Sequence, residues 1–297
     1  MRAVSDQVGL TLDRIVLATD FSPVSEMAGG YAQGLSKRFS SSLSLVHVVD
    51  LSIATRSEYA VVGLPVDEMR HDSAENQERL QSEMTSAGVR TTAHTLESQN
   101  PAASVVSFAK ELRADLIVTG TNARRGLSRA ILGSCAESII RHAGCPVMTV
   151  GPKARAVPSG ALSFHTVVFA TDFSSDAAKQ AALALSFAQD SVAKIYLCHV
   201  LDAPGKDIAE TISLEMKFES ALERLIPQST YDWCSPECVV EIGTAAPHIL
   251  GLAKKVQADL IVLGARPSAS WFVNLVEGTV GQVLMSAECP VMTVCTK

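Results

Sequence analysis

No apolar run in this chain approaches the roughly 18 residues that a membrane-crossing helix needs; the apolar stretches are short and broken by charge. The first residues do not form a secretory core, because Arg2, Asp6, Asp13 and Arg14 interrupt them. Positive charge is not in surplus. Lys and Arg number 25 against 31 Asp and Glu, for a net charge of −6. That balance speaks against nucleic acid or an acidic membrane surface as partner, since both select basic proteins. A disulfide framework is missing too: the 7 cysteines are odd in number and scattered, as in a reducing compartment. Taken together, these absences read as a cytoplasmic chain. Familiar catalytic devices are also lacking. The sequence has no Gly-Lys-Ser/Thr of a Walker loop, no His-Glu-x-x-His, no Gly-x-Ser-x-Gly and no cysteine beside a base motif. No residue is assigned a catalytic role. Cys234-Ser235-Pro236-Glu237-Cys238 has no second pair nearby and reads as structural rather than as a metal site.

What the chain does have, it has twice. Ala18-Thr19-Asp20-Phe21-Ser22 returns as Ala170-Thr171-Asp172-Phe173-Ser174. Ala114-Asp115-Leu116-Ile117-Val118 returns as Ala258-Asp259-Leu260-Ile261-Val262, and Cys145-Pro146-Val147-Met148-Thr149-Val150 as Cys289-Pro290-Val291-Met292-Thr293-Val294. A duplicated domain follows, and 297 residues suit two domains. The reading is domain 1 over 1–150, a Pro/Gly/Ser-rich linker over 151–163 and domain 2 over 164–297. The offset between copies falls from 152 residues at Asp50 and Asp202 to 144 at Asp115 and Asp259, so copy two is shorter between its second and third strands. Length changes cost least there, in a loop and a peripheral helix.

Within copy one, Ile15–Ala18 is too short for a helix and suits a buried strand. Ser22-Pro23 is a helix start, with serine as cap and proline in the first turn. Strands are expected near 43–49, 89–96, 116–119 and 147–150. Helices are expected near 23–39, 67–87, 101–112 and up to about 142, with Gly88 ending the second. The charged run Asp67–Glu83 reads as a solvated helix face. Strands alternating with helices give an α/β fold, a parallel sheet with helices on both faces and right-handed crossovers. His47 and His199 lie inside apolar strands and read as hydrogen-bonded core histidines. Cys145 and Cys289 read as small buried hydrophobes.

The segment from Gly120 to Ser134 leaves the carboxyl end of the fourth strand, where open parallel sheets collect ligands. Its glycines let backbone approach phosphate oxygens, and Arg124, Arg125 and Arg129 add positive charge. From spacing alone the segment is either a phosphate loop or a strand-to-helix turn with solvated arginines.

The opening Ala-Thr-Asp-Phe-Ser, the His-Val of the second strand, Ala-Asp-Leu-Ile-Val-x-Gly and the closing Cys-Pro-Val-x-x-Val resemble the universal stress protein family over nearly all of both copies. That resemblance implies two Rossmann-like domains, each a five-stranded parallel sheet of order 3-2-1-4-5. It also implies packing of the copies as a pseudo-dimer through their final strands, and a homodimer of tandem chains. The family's nucleotide-binding branch carries Gly-x2-Gly-x9-Gly-Ser/Thr. Copy one matches at Gly120, Gly133 and Ser134, with Ala123 in place of the second glycine. By resemblance Ala18, Asp20 and Val48 lie at the base and ribose end of an ATP pocket and Gly120 near the ribose. Ala123, Gly133 and Ser134 then lie near the phosphates, bridged by Mg2+, and Cys135 takes the next backbone position. Alanine at 123 costs roughly 1–2 kcal/mol if that backbone must be left-handed, and little otherwise.

Copy two keeps Gly264 but has Pro267 opposite Ala123, and proline offers no N–H. At the 144-residue offset Glu277 stands opposite Gly133; a slip of one instead makes Gly278-Thr279 the Gly-Ser pair. The expectation is a nucleotide-responsive stress regulator that binds ATP in copy one, with copy two degenerate. The alternatives are a nucleotide-independent scaffold with an unidentified protein partner and a slow ATP hydrolase.

Overall fold

Arg14–Ala18 forms strand β1, and its Ile15, Val16 and Leu17 have no exposed surface. A strand covered on both faces needs apolar side chains at every position, not at alternate ones. β2 (Ser42–Asp50), β3 (Arg90–Ser98), β4 (Leu116–Gly120) and β5 (Val147–Val150) join it in the order β3-β2-β1-β4-β5, all parallel. Helices α1 (Pro23–Phe39), α2 (Val66–Ser86), α3 (Pro101–Leu112) and α4 (Ser134–His142) make the connections. The computed structural model describes residues 10–52, 66–121, 132–157, 162–202, 207–265 and 278–295. Two compact units result: one of Thr11–Pro152 with Ala156–Leu162, the other of Lys153–Arg155 with the chain from Ser163 onward. The stretch 151–163, read as linker, therefore supplies residues to both units.

Local chemistry sets the element ends in the first unit. Ser22 caps α1 by accepting from the Ser25 N–H at 3.3 Å, and Pro23 fills the first helical position. Asn100 caps α3 the same way, accepting from Ala103 N–H at 3.2 Å. Gly88, at φ +86°, turns the chain out of α2 into β3. The repeated Ala-Asp-Leu-Ile-Val has a plain purpose. Asp115 Oδ2 accepts from both Asp13 and Arg14 N–H at 2.9 Å, stapling the start of β4 to the start of β1. Its twin Asp259 accepts from His165 at 2.8 Å and Thr166 at 3.1 Å.

The second unit repeats this design. Strands β6 (Thr166–Ala170), β7 (Lys194–Leu201), β8 (Glu237–Ile242), β9 (Leu260–Ala265) and β10 (Val291–Cys295) stand in the order β8-β7-β6-β9-β10, again 3-2-1-4-5 within the copy. Its helices are α5 (Ala177–Ser191), α6 (Ile208–Glu223), α7 (Ala245–Lys255) and α8 (Thr279–Ser286). α5 starts two residues later than α1 does within its copy, because Ser175 stands where Pro23 stands and supplies no preset first turn. α6 has 16 residues against 21 in α2, so part of the lost length lies in this helix. Among the described residues no helix is long and apolar enough to cross a membrane.

Candidate functional site

Thr-Asp-Phe-Ser is a turn that carries its own hydrogen bonds. Phe21 has φ 57°, left-handed for a bulky residue. Thr19 Oγ1 accepts from the Phe21 N–H at 3.0 Å, and Asp20 Oδ1 accepts from the Ser22 N–H at 3.1 Å and the Ser25 hydroxyl at 2.5 Å. Phe173 (φ 55°), Thr171, Asp172 and Ser174 repeat the turn, with bonds of 3.0 and 2.9 Å. Part of the reason for Asp20 is thus structural. Burial works to raise its carboxyl pKa, but the bonds from Ser22 and Ser25 outweigh that, and the net shift is downward. Asp20 Oδ1 does this holding.

Around that turn lies a crevice of about 100 Å³. It opens where the strand order reverses, between β1 and β4, the place where doubly wound sheets leave room at their carboxyl edge. Ala18, Asp20, Val48, Gly120 and Cys135 line it. Gly133 and Ser134 do not line it but stand just before Cys135, at the start of α4. Ala123, with Arg124, Arg125 and Arg129, lies outside the described residues. Sequence reasoning did not single out Thr19, Ser25, Pro101, Val105 or Ala136 as liners. A readable signal was there for Pro101 and Val105: they sit one turn apart at the start of a helix that must begin at this edge.

Gly120 owes its identity to a close approach. A Cβ there would stand 2.9 Å from the backbone of Val24 and Ser25, in the first turn of α1. α4 offers something different. Its N-cap is Gly133, at φ −59° and ψ 131°, with no capping side chain. The first intrahelical bond runs from Glu137 N–H to Gly133 O at 2.9 Å, so the N–H groups of Ser134, Cys135 and Ala136 have no helical acceptor. An uncapped helix start of this kind suits an anion. Desolvation at the crevice wall, with the charges of Asp20 and Asp50, pushes the Cys135 thiol up to about 11, although the residue keeps exposed surface at the helix start.

His47 lines the same crevice. Its Nδ1–H donates to the Thr19 carbonyl at 2.9 Å, and Phe21 packs on the ring with centroids 4.6 Å apart. Ser73 Oγ stands 3.1 Å from Nε2 and 2.6 Å from the Met69 carbonyl, so its one proton serves two acceptors when the ring is neutral. Burial lowers the His47 pKa, against the Thr19 bond and the Asp20 charge, which raise it. The folded form therefore holds a neutral ring where the unfolded chain takes a proton near pH 6.5. This contribution to stability is complete above about pH 6.5 and is lost as pH falls through the lower folded value. The urea midpoint of the first unit should drop between about pH 7 and pH 5, and drop less in His47→Gln. Equal slopes in the two proteins would mean that another group sets the acid limb.

The second unit keeps the helix start. α8 begins at Thr279 with Gly278 as an N-cap lacking a capping side chain, as α4 begins at Ser134 after Gly133. The helix starts follow the one-residue slip, not the fixed offset that sets Glu277 opposite Gly133. Pro267 and Glu277 lie outside the described residues. The wall has changed in two places. Gly264 packs against the buried amide of Gln180, 2.6 Å from where a Cβ would stand, whereas Gly120 meets main chain. His199 Nδ1–H donates to the Thr171 carbonyl at 2.8 Å, but Phe218 of α6 stacks on its ring at 4.4 Å where Ser73 bonds His47.

Fold and crevice together define a doubly wound α/β protein with a crevice at its switch point. The family model described as universal stress protein family matches residues 11–151 and again 163–294. A universal stress protein of Methanocaldococcus jannaschii is 34% identical over 145 residues, covering 46% of this chain and 81% of the relative. The solved structure of a universal stress protein from Archaeoglobus fulgidus covers 97% of both chains with a TM-score of 0.73 at 18% identity, a likeness of fold. A shorter one from that species, solved in complex with dAMP, spans 47% of this chain and 97% of its own at a TM-score of 0.35 and 23% identity. The chain belongs to the universal stress protein family and carries two of its domains in tandem.

Proposed function

We propose that the first unit binds an adenine nucleotide, ATP with Mg2+, and that the chain is a cytoplasmic, nucleotide-responsive regulator of a stress response. The observation that carries this reading is the adjacency of two features at one carboxyl edge. One is the crevice among the ends of β1, β2 and β4; the other is the uncapped start of α4, whose Cys135 and Ala136 also line that crevice. A volume of about 100 Å³ is below the ~300–1,000 Å³ of a complete small-molecule site. It suits one flat ring, with the rest of the ligand running past Gly120 toward Gly133 and Ser134. Asp20 Oδ2 and the main chain of Val48 are the polar groups for the base and ribose. By the family resemblance, Ala123, outside the described residues, would supply a backbone N–H to the phosphates. Among the described residues no group of three or more His, Cys, Asp or Glu is placed to hold a metal, so Mg2+ would arrive on the phosphates.

A nucleotide-independent scaffold is the second reading, favoured by Ala123 where the nucleotide-binding branch has glycine and by Pro267 and Glu277 in copy two. Hydrolysis of ATP is a weaker third, because His47, the imidazole of the crevice, has both nitrogens engaged and no other water-activating group is evident among the described residues. The two leading readings separate on Asp20. Asp20→Ala should weaken Mg-ATP binding by about tenfold, ~1.4 kcal/mol, measured by fluorescence competition. Asp20→Asn, which keeps an acceptor for the turn, should lose less. An Asp20→Ala protein that folds and binds as wild type would take the base and ribose out of this crevice.

A further inference from the structure

The outward side of α6 carries an apolar stripe. Ile208, Ile212 and Met216 follow at four-residue spacing, which lines them up along one side of a helix. They are 80%, 50% and 66% exposed. The helix does not need them for docking to its own sheet: Leu222 is fully buried and Phe218 stacks on His199. The helix in the same place in the first unit shows the ordinary solution. Asp67, Glu68, Arg70, Asp72 and Glu75 of α2 face water. Large apolar side chains in a row, where the sister domain has charges, are a feature of contact surfaces.

Charge says what fits there. At about 100° per residue, Glu215, Glu219 and Glu223 fall on or beside the stripe, and Asp207 and Glu210 are exposed at its start. Lys217, the one cation within the helix, and Arg224 at its C-cap lie elsewhere. Lys217 falls about 100° beyond Met216, and Arg224 Nε donates to the Ser220 carbonyl at 3.0 Å. A second copy of the chain would set these carboxylates against themselves, and an anionic lipid surface would be repelled. We propose that the outer face of α6 docks an amphipathic helix of a partner protein whose apolar ridge is flanked by Lys or Arg. Leucines of the ridge cover Ile208, Ile212 and Met216 in the usual helix-on-helix manner, and the basic flank pairs with Glu219 and Glu223 at the rim. The proposal is independent of what the crevice of the first unit binds.

The test uses the full chain and two fluorescein-labelled amphipathic peptides, one with lysines beside a leucine face and one with glutamates there. Anisotropy should show binding of the lysine peptide that weakens with salt and falls at least tenfold in the Ile212→Ser/Met216→Ser protein. The Glu219→Lys/Glu223→Lys protein should prefer the glutamate peptide. All these positions are exposed, and unchanged melting curves will show that the variants fold. The proposal is overturned if neither peptide binds or if the serine variant binds as well as wild type. It is overturned equally if the stripe proves to mediate a concentration-dependent dimer, lost in the serine variant, or adhesion to anionic vesicles.

Discussion

Gly133→Glu is expected to weaken Mg-ATP binding at least ~100-fold, about 2.7 kcal/mol, without unfolding the first unit. Gly133 has φ −59° and ψ 131°, extended backbone open to any residue. The backbone therefore takes a side chain there without strain, and the effect is expected to fall on the ligand. A carboxylate at this N-cap does two things. It approaches the N–H groups of Ser134, Cys135 and Ala136, as anions do at helix starts, and so competes with a phosphate for the same donors. It also sets a negative charge beside the phosphates. Calorimetry of wild type and variant side by side measures the loss. Because glutamate is a tolerable neighbour for a helix start, the melting temperature should hardly change. An affinity within about threefold of wild type would remove the start of α4 from the binding site.

The second large effect is on stability. Gly120→Ala should lower the stability of the first unit by about 1–3 kcal/mol, the usual cost of forcing an atom into a packed contact. The added Cβ meets main-chain atoms of Val24 and Ser25 at 2.9 Å, and backbone in a capped first turn has little room to yield. Gly264→Ala should cost less, since its Cβ meets the end of the Gln180 side chain, which can turn aside. The Oε1 of that side chain has no hydrogen-bond partner to lose. Two units need not unfold together, so hydrogen exchange read by mass spectrometry should follow peptides of each unit separately. Equal losses at the two glycines would contradict this view of how α1 and α5 rest on their sheets. Gly120→Ala would also disturb nucleotide binding, but by moving α1 and its Ser22-Ser25-Asp20 network, not by touching the ligand.

The order of elements was legible because the sequence repeats it and because the chain marks its own boundaries. Pro23 and Pro101 begin helices at their first positions, and Gly88 turns the chain out of α2, as the local chemistry required. The apolar runs gave the parallel strands, and the family resemblance gave their order. Five of the eight expected site residues share one crevice. Other features could not be read from spacing. Gly120 read as a glycine for close approach to a ligand; its contact with α1 depends on where a helix lands and has no signature in spacing. Asp20 looked like a ligand group, and the turn that engages its Oδ1 is a hydrogen-bond pattern without a periodic signature. The fixed offset also missed the start of α8, which begins one residue later than it sets, although the helix end at Ser286 and strand β10 keep the 144-residue offset. Similarity of α2 and α6 as elements hid the difference of their outer faces until exposure was assigned residue by residue.

The most direct measurement is calorimetric titration of nucleotide-stripped wild-type chain with Mg-ATP, counting sites per chain. Micromolar binding at a single site, lost in Gly133→Glu, is the expected result. Absence of binding would favour the scaffold reading. A site that persists in Gly133→Glu would place the nucleotide outside the first unit's crevice and contradict the central claim.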